Sequence, residues 1–304
     1  MNTVHYFKAL ADETRLRLYH LLMEYEFNVN EIVSIMGMGQ SRISRHLKIL
    51  TDSGLLAGRR DGSYMYYHSV NSDELQDLAR FVDKSLKREQ EFNQDQNRAQ
   101  ELVRERKSRT QRFFNDIAEE WDSLKRDVFG EFDIVARLAE KIDTCAVAVD
   151  LGCGTGELLI ALAGKAKQVI GVDSSPKMLE QARLRSTSAN QRIELRLGEL
   201  EHLPVRDAEA DVAVYNMVLH HLVVPATGIR EAHRILAPGG RLLIADFNKH
   251  QLEMVRDKYG DPWLGFDRDE IETWLHDAGF DFEGLEQYDV LQGLTVNVFT
   301  ARRP

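Results

Sequence analysis

Cysteine is scarce, with Cys145 and Cys153 the only two in 304 residues. A disulfide framework is excluded, and the composition suits a reducing, cytoplasmic compartment. There is no run of about 18 apolar residues, so no membrane span is expected. The opening stretch MNTVHYFKALADETR has no apolar segment behind a basic one, so no secretory signal is expected. No internal repeat of about 20–50 residues is found, which excludes solenoid and propeller arrays. Positive charge is also short: 39 Lys and Arg against 49 Asp and Glu leave a net charge of -10. A globally basic surface is therefore excluded, and any nucleic-acid role must sit on a local patch.

What is present is an ordinary globular mixture, 43% hydrophobic and 29% charged. At about 100–200 residues per domain, the length predicts two domains. Charge is unevenly divided between them. Residues 1–71 hold 8 basic and 7 acidic residues, net +1, and the remainder holds 31 and 42, net -11. Three sections follow. Residues 1–71 alternate short helical patterns with turns. Residues 72–112 form a polar run with neither Gly nor Pro. Residues 113–304 alternate apolar, strand-like runs with amphipathic helices.

The first section contains a compact pattern. Asp12 stands where an N-cap opens a helix through Leu16, Leu18, Leu21 and Leu22. Val29–Met36 places apolar residues at 29, 32, 33 and 36, on one helical face. Gly37-Met38-Gly39-Gln40 interrupts it, and a second helix is expected from about Ser41 to Asp52. Its inner face is Ile43, Leu47 and Leu50, and its outer face carries Ser41, Arg42, Ser44, Arg45 and Lys48. Helix, glycine-containing turn and helix with a basic outer face make a helix-turn-helix. Leu55–Arg60 and Ser63–His68 then read as strands joined at Asp61-Gly62, a strong hairpin signal. A hairpin behind a recognition helix makes a winged helix. Residues 40–60 hold Arg42, Arg45, Lys48, Arg59 and Arg60 against Asp52 alone, a local net charge of +4.

FKALADETRLRLYHLL and GQSRISRHLKILTDSGLL resemble the ArsR family of winged-helix repressors over residues 3–70. The resemblance implies a homodimer on an inverted-repeat operator in double-stranded DNA. It implies that Gln40, Ser41, Arg42, Ser44, Arg45 and His46 face DNA. Arg reads guanine and Gln reads adenine, while Ser41 and Lys48 suit phosphates and Arg59 and Arg60 make a basic wing. Many relatives in that family sense metals. This sequence departs from them: residues 1–112 hold no cysteine, and His5, His20, His46 and His68 are scattered singly. No metal site is expected.

As a single helix, the 41 residues of 72–112 would run about 60 Å at about 1.5 Å per residue. Leu75, Leu78, Phe81, Val82 and Leu86 keep helical spacing and suit dimer packing, whereas Phe92, Ala99, Leu102 and Val103 form a thinner stripe. The second half reads equally as solvated linker or as a further dimer contact.

The clearest chemical signal is Val147–Val149 running into Asp150-Leu151-Gly152-Cys153-Gly154-Thr155-Gly156, followed by a helix over Glu157–Ala163. Three alternate glycines let the chain turn sharply and let a ligand approach the backbone. Asp173 lies 21 residues after Gly152, at the end of the strand Gln168–Val172, where a carboxylate can accept from two ribose hydroxyls. VDLGCGTGELLIALA resembles motif I of class I S-adenosylmethionine-dependent methyltransferases. IGVDSSPKMLEQAR resembles the ribose-binding strand end and its helix, and LRLGELEHLP the adenine-side loop. ADVAVYNMVLHHL resembles the fourth strand, LAPGGRLLIADF the fifth, and FFNDIAEEWD an N-terminal lid helix. The resemblance covers residues 113–301. It implies a seven-stranded, mostly parallel sheet closed by an antiparallel pair at Phe282–Tyr288 and Leu294–Thr300. The implied ligand residues are Asp150, Gly152, Cys153, Gly154, Gly156, Asp173, Ser174, Met178, Gly198, Glu199, Leu200, Asn216 and His221. Cys153, inside the loop, reads as packing rather than as a nucleophile. His220, His221 and Asp246 stand at strand ends without an assigned role.

The expected architecture is therefore α/β. It comprises a winged helix over 1–71 (mainly α, with a β-hairpin wing), a long connecting helix over 72–112, and a doubly wound methyltransferase-like sheet over 113–304. The combination resembles SahR-type regulators, ArsR-family repressors of methionine-cycle genes that respond to S-adenosylhomocysteine. That implies a DNA-binding repressor controlled by S-adenosylhomocysteine or S-adenosylmethionine. The alternative is an active small-molecule methyltransferase with an autoregulatory DNA-binding head. Arsenite as acceptor is excluded, because that chemistry needs several thiolates. DNA as acceptor is excluded, because Asp211–His221 lacks an Asn/Asp-Pro-Pro-aromatic motif. Methyl transfer depends mainly on proximity and in-line orientation, so an intact cofactor motif does not separate enzyme from sensor.

Overall fold

The computed structural model describes residues 3–86, 89–187, 193–254, 256 and 262–304. The chain divides into two compact units, Met1–Arg106 and Lys107–Pro304.

The first unit begins with α1 (Thr3–Leu10) and α2 (Glu13–Glu24). Asp12 caps α2, its side chain accepting from the Arg15 amide. After β1 (Phe27–Asn28), Asn28 and Glu31 form a capping box for α3 (Val29–Met36), which closes at Gly37. The turn leads into α4 (Gln40–Asp52), then the wing strands β2 (Leu56–Asp61) and β3 (Tyr64–Ser69). β3 lies between β2 and β1, so the wing is tied to the body through Phe27 opposite Tyr67. The two-residue β1 carries too short a pattern to be seen in the sequence. Leu18, Leu22, Ile32, Ile43, Leu47 and Leu50 form one buried core.

The stretch expected as one helix over 72–112 holds two helices among the described residues, with Glu89 between them non-helical. α5 (Asp73–Leu86) and α6 (Gln90–Ile117) are separate. The cause lies in the phase of the apolar residues. Leu75, Val82 and Leu86 share a face, and so do Phe92 and Ala99, but the six-residue step from Leu86 to Phe92 turns that face by about 240°. A break lets both sets reach the same core, and all five residues are buried in it. The half read equally as solvated linker or dimer contact thus packs, through Phe92 and Ala99, into the core of the winged helix. The division between units falls after Arg106, inside the segment read as a connector.

The second unit holds α7 (Trp121–Phe129), α8 (Ile134–Glu140), β4 (Cys145–Leu151), α9 (Glu157–Ala163), β5 (Ala166–Asp173), α10 (Pro176–Ser186) and β6 (Ile193–Leu197). It continues with β7 (Ala210–Asn216), α11 (Pro225–Ile235), β8 (Leu236–Phe247), α12 (Arg268–Asp277), β9 (Asp281–Asp289) and β10 (Thr295–Arg302). The strands form one sheet in the order β6-β5-β4-β7-β8-β10-β9. β6, β5, β4, β7 and β8 are parallel, and β10 enters antiparallel to both β8 and β9. This is the seven-stranded architecture expected from the sequence. Central strands read as continuous apolar runs because helices cover both faces. Ala148, Val169, Val214 and Leu243 pack with Leu138, Leu158, Leu162 and Leu179. Each such side chain contributes about 1.5–3 kcal/mol on burial. The order reverses between β4 and β7, and in open sheets of this kind ligands bind outside the carboxyl ends of the strands at such a switch point.

Candidate nucleic-acid interface and ligand site

In the first unit, α4 sorts its residues as its periodicity dictates. Ile43, Leu47 and Leu50 are fully buried, while Gln40, Ser41, Arg42, Ser44, Arg45 and Lys48 are exposed. Arg42 also donates to the Thr14 hydroxyl at 2.9 Å, and Lys48 pairs with Asp52 at 3.0 Å. His46 is half-buried, 3.7 Å from Asp12; burial holds its pKa below the ordinary value, against the pull of Asp12. One expected contact changes. Arg59 is 9% exposed and donates from Nε to Glu26 at 2.9 Å, with Asp61, itself fully buried, at 3.6 Å. It braces the wing from inside. Successive strand residues point to opposite faces, so Arg59 and Arg60 cannot both look outward. Arg60 is the exposed one, with Tyr64 and Met65 beside it at the wing tip. The outward cations of residues 40–60 are thus Arg42, Arg45, Lys48 and Arg60.

In the second unit, the carboxyl ends of β4, β5, β6 and β7 gather most of the residues singled out in the sequence. The glycine loop leaves β4 in a tight turn, with the Gly152 and Cys153 amides donating to the Val172 carbonyl at 2.8 and 3.0 Å. Gly152 has φ 78°, and a Cβ there would lie 2.7 Å from both Val218 methyls. Gly154 has φ 49°, and a Cβ there would meet Trp121 Nε1 at 3.8 Å, an ordinary contact. Asp173 stands at the end of β5 and accepts from the Gly154 amide at 2.9 Å and the Ser175 amide at 2.8 Å. Burial raises its pKa, and these amides oppose the rise. Cys153 is buried; burial and two nearby carboxylates push its thiol well up, which suits packing and not nucleophilic attack.

Asp150 is the most unusual group. It is 1% exposed, and among the described residues neither carboxylate oxygen has a hydrogen-bond partner. Burial, and then the charge of Asp173, push its pKa up to about 8, while Lys125 lowers it. A buried carboxylate without partners is costly, so the site is built for a cation or a donor. Asn216, at the end of β7, likewise holds a buried Oδ1 without a partner among the described residues. Met217 follows in a left-handed conformation, φ 59°, rare for a residue with a side chain.

The remaining predicted residues are more various. Ser174 is half-buried, and its carbonyl accepts from Gln111 Nε2 at 2.5 Å. Gly198 donates to the Asp173 carbonyl at 3.0 Å, and Leu200 packs 3.3 Å from the Gly152 Cβ direction. Met178 is buried in α10, and Gly156 lies against Ala182, so both serve packing beneath the loop. Glu199 pairs with Lys107 at 2.7 Å. His221 lies edge-on to Phe114, centroids 4.7 Å apart.

Other participants escaped the sequence reading. Thr155 donates to Asp122 at 2.7 Å and receives Arg185 at 3.0 Å; Arg185 also pairs with Asp122. These groups hold the start of α7 against the glycine loop. Asn115 accepts from the Ser175 hydroxyl at 2.8 Å. Lys107, Gln111 and Asn115 thus share one face of α6, at i, i+4 and i+8, and all three meet loops after β5 and β6. That spacing was the available signal. A second missed feature is a buried pair, His220 Nδ1 to Asp246 Oδ1 at 2.7 Å.

These features define two domains of known class. Residues 12–57 match the family described as bacterial regulatory protein, arsR family, and residues 149–244 match a methyltransferase domain. The chain thus carries an ArsR-family helix-turn-helix domain followed by a methyltransferase domain. An uncharacterized 37.1 kDa protein of transposon TN4556 from Streptomyces fradiae is 44% identical over 102 residues, 33% of this chain and 29% of that protein. A ubiquinone/menaquinone biosynthesis C-methyltransferase UbiE of Geobacter sp. (strain M21) is 26% identical over 211 residues, 64% of this chain and 88% of that one. A Bacillus halodurans structure described as a methyltransferase superposes with TM-score 0.51 at 20% identity, covering 56% of this chain and 99% of that one. At that identity the last match speaks to the fold alone.

Proposed function

We propose that the chain is a DNA-binding transcriptional regulator, a repressor, whose operator affinity is set by S-adenosylhomocysteine or S-adenosylmethionine bound in the second unit. The observation that carries this reading is the buried carboxylate of Asp150 at the end of β4, without a hydrogen-bond partner among the described residues. An S-adenosyl ligand brings an α-ammonium group, which suits Asp150, and ribose hydroxyls, which suit Asp173. Asn216 Oδ1 would take a further donor, and the loop Gly198–Leu200 would flank the adenine. The residues present therefore fit the ligand. The methionine-cycle genes are the proposed targets, on the resemblance to SahR-type regulators.

Helix α6 is the proposed transmitter. Phe92 and Ala99 in its first half are buried in the winged-helix core, and Lys107, Gln111 and Asn115 in its second half hold the ligand-site loops. Through Coulomb attraction Lys107 is tied to Glu201 as well as Glu199; burial pulls its pKa down, and the two carboxylates outweigh that and raise it. A ligand that moves these loops acts on α6 and shifts the DNA-binding equilibrium by its differential affinity for the two states.

The test pairs calorimetric binding of each nucleoside with operator binding by the full chain, as homodimer on an inverted repeat. Asp173→Ala is expected to remove the ligand response and keep basal DNA affinity. A response that survives in this variant refutes the site. A second reading, methyl transfer to a small molecule, is favoured by the His220–Asp246 pair.

A further inference from the structure

Helix α4 carries three cations, Arg42, Arg45 and Lys48, and each has a different setting. At about 100° per residue, Ile43, Leu47 and Leu50 fix the direction of the buried face. Arg45 and Ser41 point within about 30° of the opposite direction. Arg42 and His46 lie round to one side, about 70° and about 110° from it. That side faces the start of α2. Arg42 Nη2 donates at 2.9 Å to the hydroxyl of Thr14, which is 3% exposed, and His46 Nδ1 lies 3.7 Å from Asp12. Lys48 pairs with Asp52 at 3.0 Å. Arg45 is exposed, and among the described residues no hydrogen bond or salt bridge reaches it.

We propose that Arg45 selects the DNA sequence by reading a guanine in each half-site, and that Arg42, positioned by Thr14, holds a phosphate at the groove edge. The proposal rests on the first unit binding duplex DNA as a homodimer, and not on a ligand in the second. The residue types alone treat the two arginines alike. Their directions and partners separate them.

An α-helix with its side chains is about 10–12 Å across and nearly fills a major groove about 12 Å wide. The middle of its outward face therefore meets base edges, and its flanks meet the phosphates that wall the groove. Arg45 stands on that middle line, in the second turn of α4. Ser41 and Ser44, its exposed neighbours, are short, so the longer guanidinium reaches furthest. A guanine presents two acceptors to the groove, O6 and N7, and a fork of two coplanar N–H groups takes both at once. Arg45 has that fork unspent.

Arg42 differs in two respects. It sits on the flank, and one of its terminal nitrogens is committed to a buried hydroxyl. Its other N–H groups form a cation of fixed position, which suits the charge of a phosphate and not a choice between bases. Thr14 acts through Arg42 and is a positioning residue. Lys48 drops out on other grounds. Its partner Asp52 lies within about 10° of the middle line, two turns beyond Arg45, so that end of α4 brings no net charge to DNA. Base reading thus falls to the first two turns, where Arg45 is the outward cation.

The test is selection from random duplex DNA by the full chain, with the bound pool sequenced. The wild type is expected to enrich an inverted repeat with a guanine preferred in each half-site. Arg45→Ala should keep the other preferences and lose that one, a fall in discrimination of about five- to 100-fold. Replacing that guanine by 7-deazaguanine, which lacks the N7 acceptor, should weaken the wild type by about five-fold or more and leave Arg45→Ala unmoved. Its effect on the wild type is decisive even if a variant does not fold. Arg42→Ala should instead weaken binding to every sequence alike and reduce its salt dependence by about one ion. Thr14→Val should weaken all binding by about two- to ten-fold, and Thr14→Ser should restore it. If Arg45→Ala enriches the wild-type sequences, or 7-deazaguanine leaves the wild type unmoved, or Arg42→Ala is the variant that loses the guanine, the proposal is wrong and DNA binding stands. A wild-type half-site with no preferred guanine also overturns it, and wild-type affinity in Thr14→Val overturns the role of Thr14. If the wild type enriches no sequence, the reading of the chain as a sequence-specific regulator falls too.

Discussion

If the proposed ligand binds at the buried carboxyl of Asp150, binding and stability are expected to depend on pH in opposite senses. Its pKa rises from 3.8 to about 8, through burial first and the charge of Asp173 second. At pH 7 the empty site therefore holds Asp150 mainly protonated, whereas an unfolded chain holds it ionised. The folded-state pKa is raised, so this contribution to stability is fully present below about pH 4 and is lost as pH climbs through about 8. Between pH 5 and 7 the slope is about 1.4 kcal/mol per unit, or about 3 kcal/mol in all. At about 2–4 °C per kcal/mol for a unit of this size, the melting temperature of the second unit should fall by about 6–12 °C over that range. Binding runs the other way. An α-ammonium group needs Asp150 ionised, so each ligand bound at pH 7 should release nearly one proton. Affinity for S-adenosylhomocysteine should rise by about 50-fold from pH 6 to pH 8 and flatten above that. Calorimetry in two buffers of different ionisation enthalpy measures the released proton directly. Asp150→Asn should abolish the proton release, flatten the affinity profile and weaken binding, while raising the melting temperature at pH 7. Wild-type binding that releases no proton and does not vary between pH 6 and 8 refutes the assignment of Asp150 to the ammonium group.

Three other substitutions test the remaining architecture. Arg59→Ala should destabilise the first unit by about 3 kcal/mol, because it withdraws a buried cation from between Glu26 and Asp61. Arg60→Ala should leave thermal melting unchanged, weaken operator binding, and reduce the salt dependence of that binding by about one ion. If Arg59→Ala melts like the wild type, the inward placement of that side chain is wrong. Gly152→Ala should eliminate nucleoside binding, since its Cβ would press to 2.7 Å on Val218 at φ 78°. Overpacking of this kind costs about 1–3 kcal/mol, readable as a lower melting temperature. Wild-type affinity in this variant refutes the tight-turn account of the loop.

Much of the fold was legible in the sequence because it depends on periods that neighbours along the chain impose. Val29–Met36 and Glu157–Ala163 are helices with the bounds the pattern predicted. Ile43, Leu47 and Leu50 face inward, as a 3.6-residue period requires. The three alternate glycines marked the turn at the end of β4, and the spaced Asp173 lies hydrogen-bonded to that turn. The break between α5 and α6 was written in the phase of the apolar residues, yet without Gly or Pro to mark it. It became visible only once Leu86 and Phe92 were seen in one core.

By itself, the sequence determined the two domain classes and the strand ends at which the candidate residues stand. Local propensity, apolar period and glycine spacing are properties of consecutive residues, so they survive without tertiary information. The tertiary structure alone decided which polar groups are paired. Arg59 turned inward because Glu26 and Asp61 wait there. His220 found Asp246, 26 residues away in the chain, across two adjoining strand ends. Among the described residues, Asp150 was left buried without a hydrogen-bond partner. Pairing and desolvation depend on what distant parts of the chain bring into reach, and burial magnifies the energy of each outcome. The residue types were legible from the start; whether each is a brace, a buried pair or an unpartnered carboxyl is a matter of its neighbours in space.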